Sequence, residues 1–150
     1  MKTILLILAS IFFISCSNPK YQIQTECNLS IDDLFKSITT LLMQENFLIK
    51  QSDIRLGYLQ AETIPEFDDA ALMVGSSSQV YKIWVFQYKQ GKIIATARSI
   101  RTIKQNHLQD GSQIYYSDKI NKNKRTKWYW NIRNGLENLC GNKIVIAEIE

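Results

Sequence analysis

The stretch from Val80 to Ile103 constrains the fold of this 150-residue chain more than any other. Val80, Tyr81, Ile83, Trp84, Val85, Phe86 and Tyr88 crowd β-branched and aromatic side chains into a few positions. Such residues pack well on a pleated, half-buried surface. Lys89-Gln90-Gly91-Lys92 then reads as a tight turn and Ile93 to Ile103 as the returning strand. The centre of the fold is therefore an antiparallel pair. Trp84, Phe86 and Tyr88 alternate with Ile83 and Val85, so both faces of the hairpin carry apolar groups. One face is expected to pack on helices and the other to be partly covered by a long loop.

Two helices flank this hairpin in the sequence. Ser30 is a good N-cap with Asp33 in the capping-box position. Ile31, Leu34, Phe35, Ile38, Leu41 and Leu42 then line one helical face, with Asn46 as the stop. The second helix is predicted over about Asn123 to Cys140, with Gly141 as its C-cap and Trp128, Ile132, Leu136 and Leu139 inward. Phe47 to Lys50, Ile54 to Glu62 and Lys143 to Glu150 read as further strands, with Gly57 as a bulge or close-approach point. Thr63–Ser78 and Lys104–Ser117 read as loops, the first with a helical turn over Ala70–Val74, the second with a short strand over Ile114–Tyr116. The order predicts an α+β fold: a two-layer sandwich of an antiparallel sheet of about five strands with two helices on one face.

Composition narrows the function classes. With 45% hydrophobic and 21% charged residues the chain is globular rather than disordered, and its length suits one domain. The formal charge of +4 reads as mild and spread along the chain, so a nucleic-acid partner is not demanded. One His and three Cys are too few and too badly spaced for a standard zinc site. No dinucleotide fingerprint, P-loop, H-E-x-x-H or G-x-S-x-G occurs, so no cofactor, metal site or catalytic residue is expected.

The first sixteen residues stand apart. Lys2 precedes an apolar stretch from Ile4 to Ile14, interrupted only by Ser10. Eleven helical residues reach about 16 Å, half a bilayer core, which suits a signal peptide rather than a membrane span. Phe13-Ile14-Ser15-Cys16 resembles the lipobox of bacterial prolipoproteins, with Phe13 where that family usually carries Leu. The resemblance covers about a tenth of the chain. It implies a signal peptide over 1–15, a diacylglyceryl group on the Cys16 thiol, cleavage before Cys16 and acylation of the new amino terminus. Several acyl chains anchor a protein nearly permanently, at about 0.8 kcal/mol per buried CH₂. The mature chain then loses one Lys with its leader, leaving 135 residues and a charge of +3. Residues 16–20, with Pro19, make a short tether, and 21–150 the single domain. Ser17 after the Cys, by the same resemblance, favours the outer membrane facing the periplasm. Ser15 and Ser17 also have the small-x-small spacing of ordinary secretion with cleavage before Asn18.

With Cys16 acylated, Cys27 and Cys140 remain. Outside the cytosol they form either a disulfide or two separate buried thiols; sequence alone does not place their Cα atoms within bridging distance.

Three groups are candidates for chemistry. His107, near Asp110, would need Cys27 or Cys140 beside it to act as a hydrolase, and otherwise is a solvated loop residue. Glu62, Glu66, Asp68 and Asp69 offer paired carboxylates for acid/base work or calcium, or a solvated acidic loop. Lys119, Lys122, Lys124, Arg125, Lys127 and Arg133 surround Trp128-Tyr129-Trp130, and a helical wheel sets Trp130 opposite Trp128, with Asn134 and Glu137. Trp130, Lys127, Arg133 and Lys124 could thus form a surface for lipid headgroups, lipopolysaccharide, peptidoglycan or an envelope protein, or a solvated basic face with Trp130 under a loop. The reading that follows is a non-catalytic envelope lipoprotein that binds or scaffolds. The alternative is a small envelope hydrolase or ligand carrier with a site under the 63–78 loop.

Overall fold

The computed structural model describes residues 20–67, 77–105, 108–117, 119–120 and 122–149. The chain is α+β, with two helices and one antiparallel sheet among the described residues. The sheet has eight strands among the described residues, not about five. The strands are β1 (Lys20–Glu26), β2 (Phe47–Asp53), β3 (Tyr58–Thr63), β4 (Glu66–Phe67), β5 (Ser77–Lys89), β6 (Lys92–Gln105), β7 (Leu108–Tyr115) and β8 (Val145–Ile149). The helices are α1 (Ile31–Gln44) and α2 (Lys127–Cys140).

The spine is the β5–β6 hairpin, paired without a break from Ser77↔Lys104 to Lys89↔Lys92. Its turn holds two residues, Gln90 and Gly91, with φ of +51° and +76°. Two left-handed residues in succession match the twist of the strands, which is why Gly closes the turn. On one side of β5 lie β3, paired along 83–87, and β4, paired along 79–80. On the corresponding side of β6 lie β1, along 92–95, and β7, along 98–105. β2 closes one edge through β3, and β8 the other through β1.

Cross-strand register sorts the side chains. Phe47, Ala61, Trp84 and Ala97 share a face with Leu59, Phe86, Ala95 and Ile23. All eight belong to one core with Leu34, Phe35, Ile38 and Leu42 of α1 and Trp128, Tyr129, Ile132 and Leu136 of α2. Both helices therefore cover the same face. Bulk and absence of bulk alternate across it. The Trp84 indole stacks on the Tyr129 ring at 5.7 Å between centroids and stands edge-on to Trp128 at 6.1 Å, while its neighbours along the register are Ala61 and Ala97. Ring area of this size needs small partners to sit flat.

Four local expectations change. Residues 54–57 turn rather than extend: the Asp53 carboxylate accepts from the N–H groups of Arg55 and Leu56, and β3 starts only at Tyr58. Residues Lys20–Glu26 form a strand inside the sheet, beginning on the last residue of the expected tether. Leu108–Tyr115 is a full strand against β6, where a loop with one short strand was expected. The 63–78 excursion contains β4 and the start of β5; the helical turn expected at Ala70–Val74 lies outside the described residues.

Cys27, just after β1, and Cys140, the last residue of α2, are joined as a disulfide, with their Cα atoms 4.5 Å apart. α2 therefore ends where β1 ends. Near the start of β1, the Lys119 ammonium, eight residues ahead of the helix, lies 5.4 Å from the Tyr21 ring centroid. Seven extended residues span about 23 Å and fourteen helical ones about 21 Å, so strand and helix match in length.

Candidate functional site

The start of α2 carries the most distinctive surface. An open cleft of about 400 Å³ is lined by Lys122, Asn123, Lys124, Lys127, Trp130, Asn131 and Asn134. The lining holds three ammonium groups, three carboxamides and one indole, and no acid among the described residues. Lys122, Lys124 and Lys127 are all exposed.

Local sequence builds this cleft. Asn123 folds the segment ahead of the helix, its side-chain oxygen accepting from the N–H groups of Arg125 and Thr126. Thr126 occupies the N-cap position, but its hydroxyl makes no capping bond into the helix and instead accepts from the Asn123 N–H. The first turn contains no acid and begins with Lys127. A helix start carries partial positive charge, so cations there cost about 0.3–1 kcal/mol each. An anion in the cleft would offset that cost.

Trp130 forms the wall. It is half-buried against the core, its ring edge-on to Tyr129 at 5.4 Å. Its indole N–H is buried without a hydrogen-bond partner. The Lys122 ammonium sits 4.8 Å from the ring centroid and the Arg133 guanidinium carbon 5.9 Å from it. A cation held over an indole face gains about 0.5–1 kcal/mol at exposed sites. Trp130 therefore fixes where the Lys122 charge is presented. Asn131 donates to Glu45 at 2.7 Å, tying the cleft to the end of α1 and setting one acid behind the lining.

The expected surface residues divide. Lys124, Lys127 and Trp130 meet in the cleft. Arg133 is not among its lining residues and is ion-paired to Glu137 one turn along. Lys122, Asn131 and Asn134 join the cleft. The i, i+4 spacing of Trp130 and Asn134, with Lys127 one turn earlier, was the sequence signal for it. The charge is also less evenly spread than the composition suggests. Residues 118–127 hold five Lys or Arg and one Asp, while the rest of the chain balances thirteen cations against thirteen acids.

The other candidates do not converge. Cys27 and Cys140 are bonded to each other, so neither offers a thiolate. Glu66 pairs with Lys82 at 2.8 Å. Glu62 accepts from Gln60 on the opposite face of the sheet. His107, Asp68, Asp69 and Cys16 lie outside the described residues. No group of three or more His, Cys, Asp or Glu among the described residues is placed to hold a metal ion. A second cavity of about 350 Å³, beside the disulfide, is lined by Glu26 as well as Lys92 and Lys143 and has no single charge sign. No helix among the described residues is long and apolar enough to cross a membrane. No protein-family profile, curated protein or solved structure matches the chain.

Proposed function

We propose that this chain is a lipid-anchored bacterial envelope protein whose one α+β domain binds or scaffolds another envelope component without catalysing a reaction. The observation that carries the binding role is the open cleft of Lys122, Lys124, Lys127 and Trp130, which presents charge and an aromatic wall. The anchor rests on Phe13-Ile14-Ser15-Cys16. Acylation of Cys16 puts the lipid within four residues of β1 and holds the domain close to the membrane, with Ser17 favouring the outer membrane.

Cys16→Ala tests the anchor. In fractionated cells the parent chain stays with the membrane and its amino-terminal peptide carries acyl mass. The variant should lose that mass and appear in the soluble fraction or keep an unprocessed leader. A variant that remains processed and fully membrane-bound would overturn the reading. A photo-crosslinking residue at Lys127 should capture an envelope component in intact cells, and one at Lys36, on the far helix, should not.

A further inference from the structure

The cleft is linked to the end of the sheet where β1 begins. The Lys119 ammonium lies over the Tyr21 ring and the Lys122 ammonium over the Trp130 ring, so the basic segment ahead of α2 links the start of β1 to the cleft. Tyr21 is the second residue of β1, and Lys122 is three residues beyond Lys119 along the sequence. From Cys16 to Lys20 the chain spans at most about 14 Å. A bilayer holding Cys16 thus lies within that reach of the strand whose first residues border the basic segment. Ile114, 52% exposed, adds an apolar side chain on the helix-bearing face just past this end. The opposite end of β1, at Glu26 and the β5–β6 turn, is more than 20 Å away by strand length.

We propose that the cleft at the start of α2 docks on the phosphate of anionic lipid headgroups in the membrane that carries the anchor. Phosphate matches the residues that border the cleft: Lys122, Lys124 and Lys127 line one opening, Asn123, Asn131 and Asn134 carry neutral carboxamides, and the helix start adds a positive field. Glu45, one contact behind the lining, is held by Asn131. The identity of the membrane rests on acylation of Cys16; the recognition of the headgroup does not. The lipid chains would hold the protein at the bilayer, and the cleft would orient it there.

The test uses the full chain carrying Cys16→Ala, which bears no acyl group, and sedimentation with vesicles of phosphatidylcholine alone or with phosphatidylglycerol. The readout is the ratio of the two partition coefficients, which cancels insertion of the apolar leader. The ratio should exceed one and fall with salt. It should drop about fivefold for each of Lys122→Gln, Lys124→Gln and Lys127→Gln, corresponding to about 1 kcal/mol per surface-facing Lys. Lys89→Gln, at the far end, should leave it unchanged. An equal drop with Lys89→Gln, or no preference for the anionic vesicles, would overturn the proposal. So would loss of the preference in inorganic phosphate but not in chloride at matched ionic strength, which would make the cleft a site for free phosphate. Absence of acyl mass on the parent chain in cells, with the vesicle preference intact, would overturn the anchor alone.

Discussion

Single residues set how closely the backbone of this fold can approach itself. Gly57 has φ of +63°, and a Cβ there would lie 2.4 Å from the Tyr88 carbonyl oxygen. The same pair of residues is bonded by the Tyr88 N–H donating to the Gly57 carbonyl at 2.7 Å. Neither partner can retreat without breaking the register between β3 and β5. Gly57→Ala should therefore cost about 2 kcal/mol or more, from a left-handed alanine plus a backbone clash. Gly91 has a similar φ of +76° but nothing within 4 Å of the Cβ site, so Gly91→Ala should cost only about 1 kcal/mol. Urea midpoints at unchanged slope measure both, and equal costs would contradict the close-approach account. Trp130 is a residue of the second kind, half structural and half surface. Reading the helical wheel alone puts it fully outward, but the aromatic cluster of Trp84, Trp128 and Tyr129 is wide enough to take its inner edge.

At the level of elements, legibility followed hydrophobic pattern. α1, α2 and the β5–β6 hairpin were readable because each buries a large apolar face that the sequence marks with its own period. The polar strands were not. β1, with sequence KYQIQTE, lies between two partners yet puts only Ile23 and Thr25 into buried positions, so its alternation is mostly Tyr, Gln and Thr. β7 carries Asp110-Gly111, a turn signal overridden by eight paired positions against β6. For the site, the clustering of Lys and Trp130 was visible along the helix, but not that the segment would meet Tyr21 nearly a hundred residues away. The disulfide fastens the polar strand that sequence reading missed. It closes a loop across a separation of 113 residues, for which chain entropy gives about 4–5 kcal/mol. Reductant should lower unfolding free energy by up to that amount. Cys27→Ser with Cys140→Ser should match the reduced parent and become insensitive to reductant. A double variant as stable as the oxidised parent would show that the bridge does not stabilise the fold.

The whole molecule is unevenly covered. β5 and β6 have thirteen and fourteen residues, about 45 Å of strand, whereas each helix has fourteen residues and reaches about 21 Å. Helices of that length cover only part of the spine. Among the described residues, the core takes nothing from β5 before Trp84 and nothing from β6 after Ala97. Beyond those points the hairpin is flanked by β4 and β7, paired through backbone, and neither helix of the described residues packs on it. Backbone pairing without a packed face resists local opening poorly, because few apolar contacts are lost when it opens. Amides of β5 from Ile83 to Phe86 and of β6 from Ile94 to Ala97 should therefore exchange only through global unfolding, and those of Val80, Tyr81, Ile100 and Arg101 at least about tenfold faster, a gap of about 1.4 kcal/mol. Hydrogen exchange resolved along β5 and β6 measures this directly. Uniform protection along both strands would mean that the projecting half-sheet unfolds with the core, and that the two-layer half does not set the stability of the rest. Stepwise protection, with the break near Trp84 and Ala97, would place the rigid half of the molecule around the disulfide and the helices, the half that positions the basic cleft.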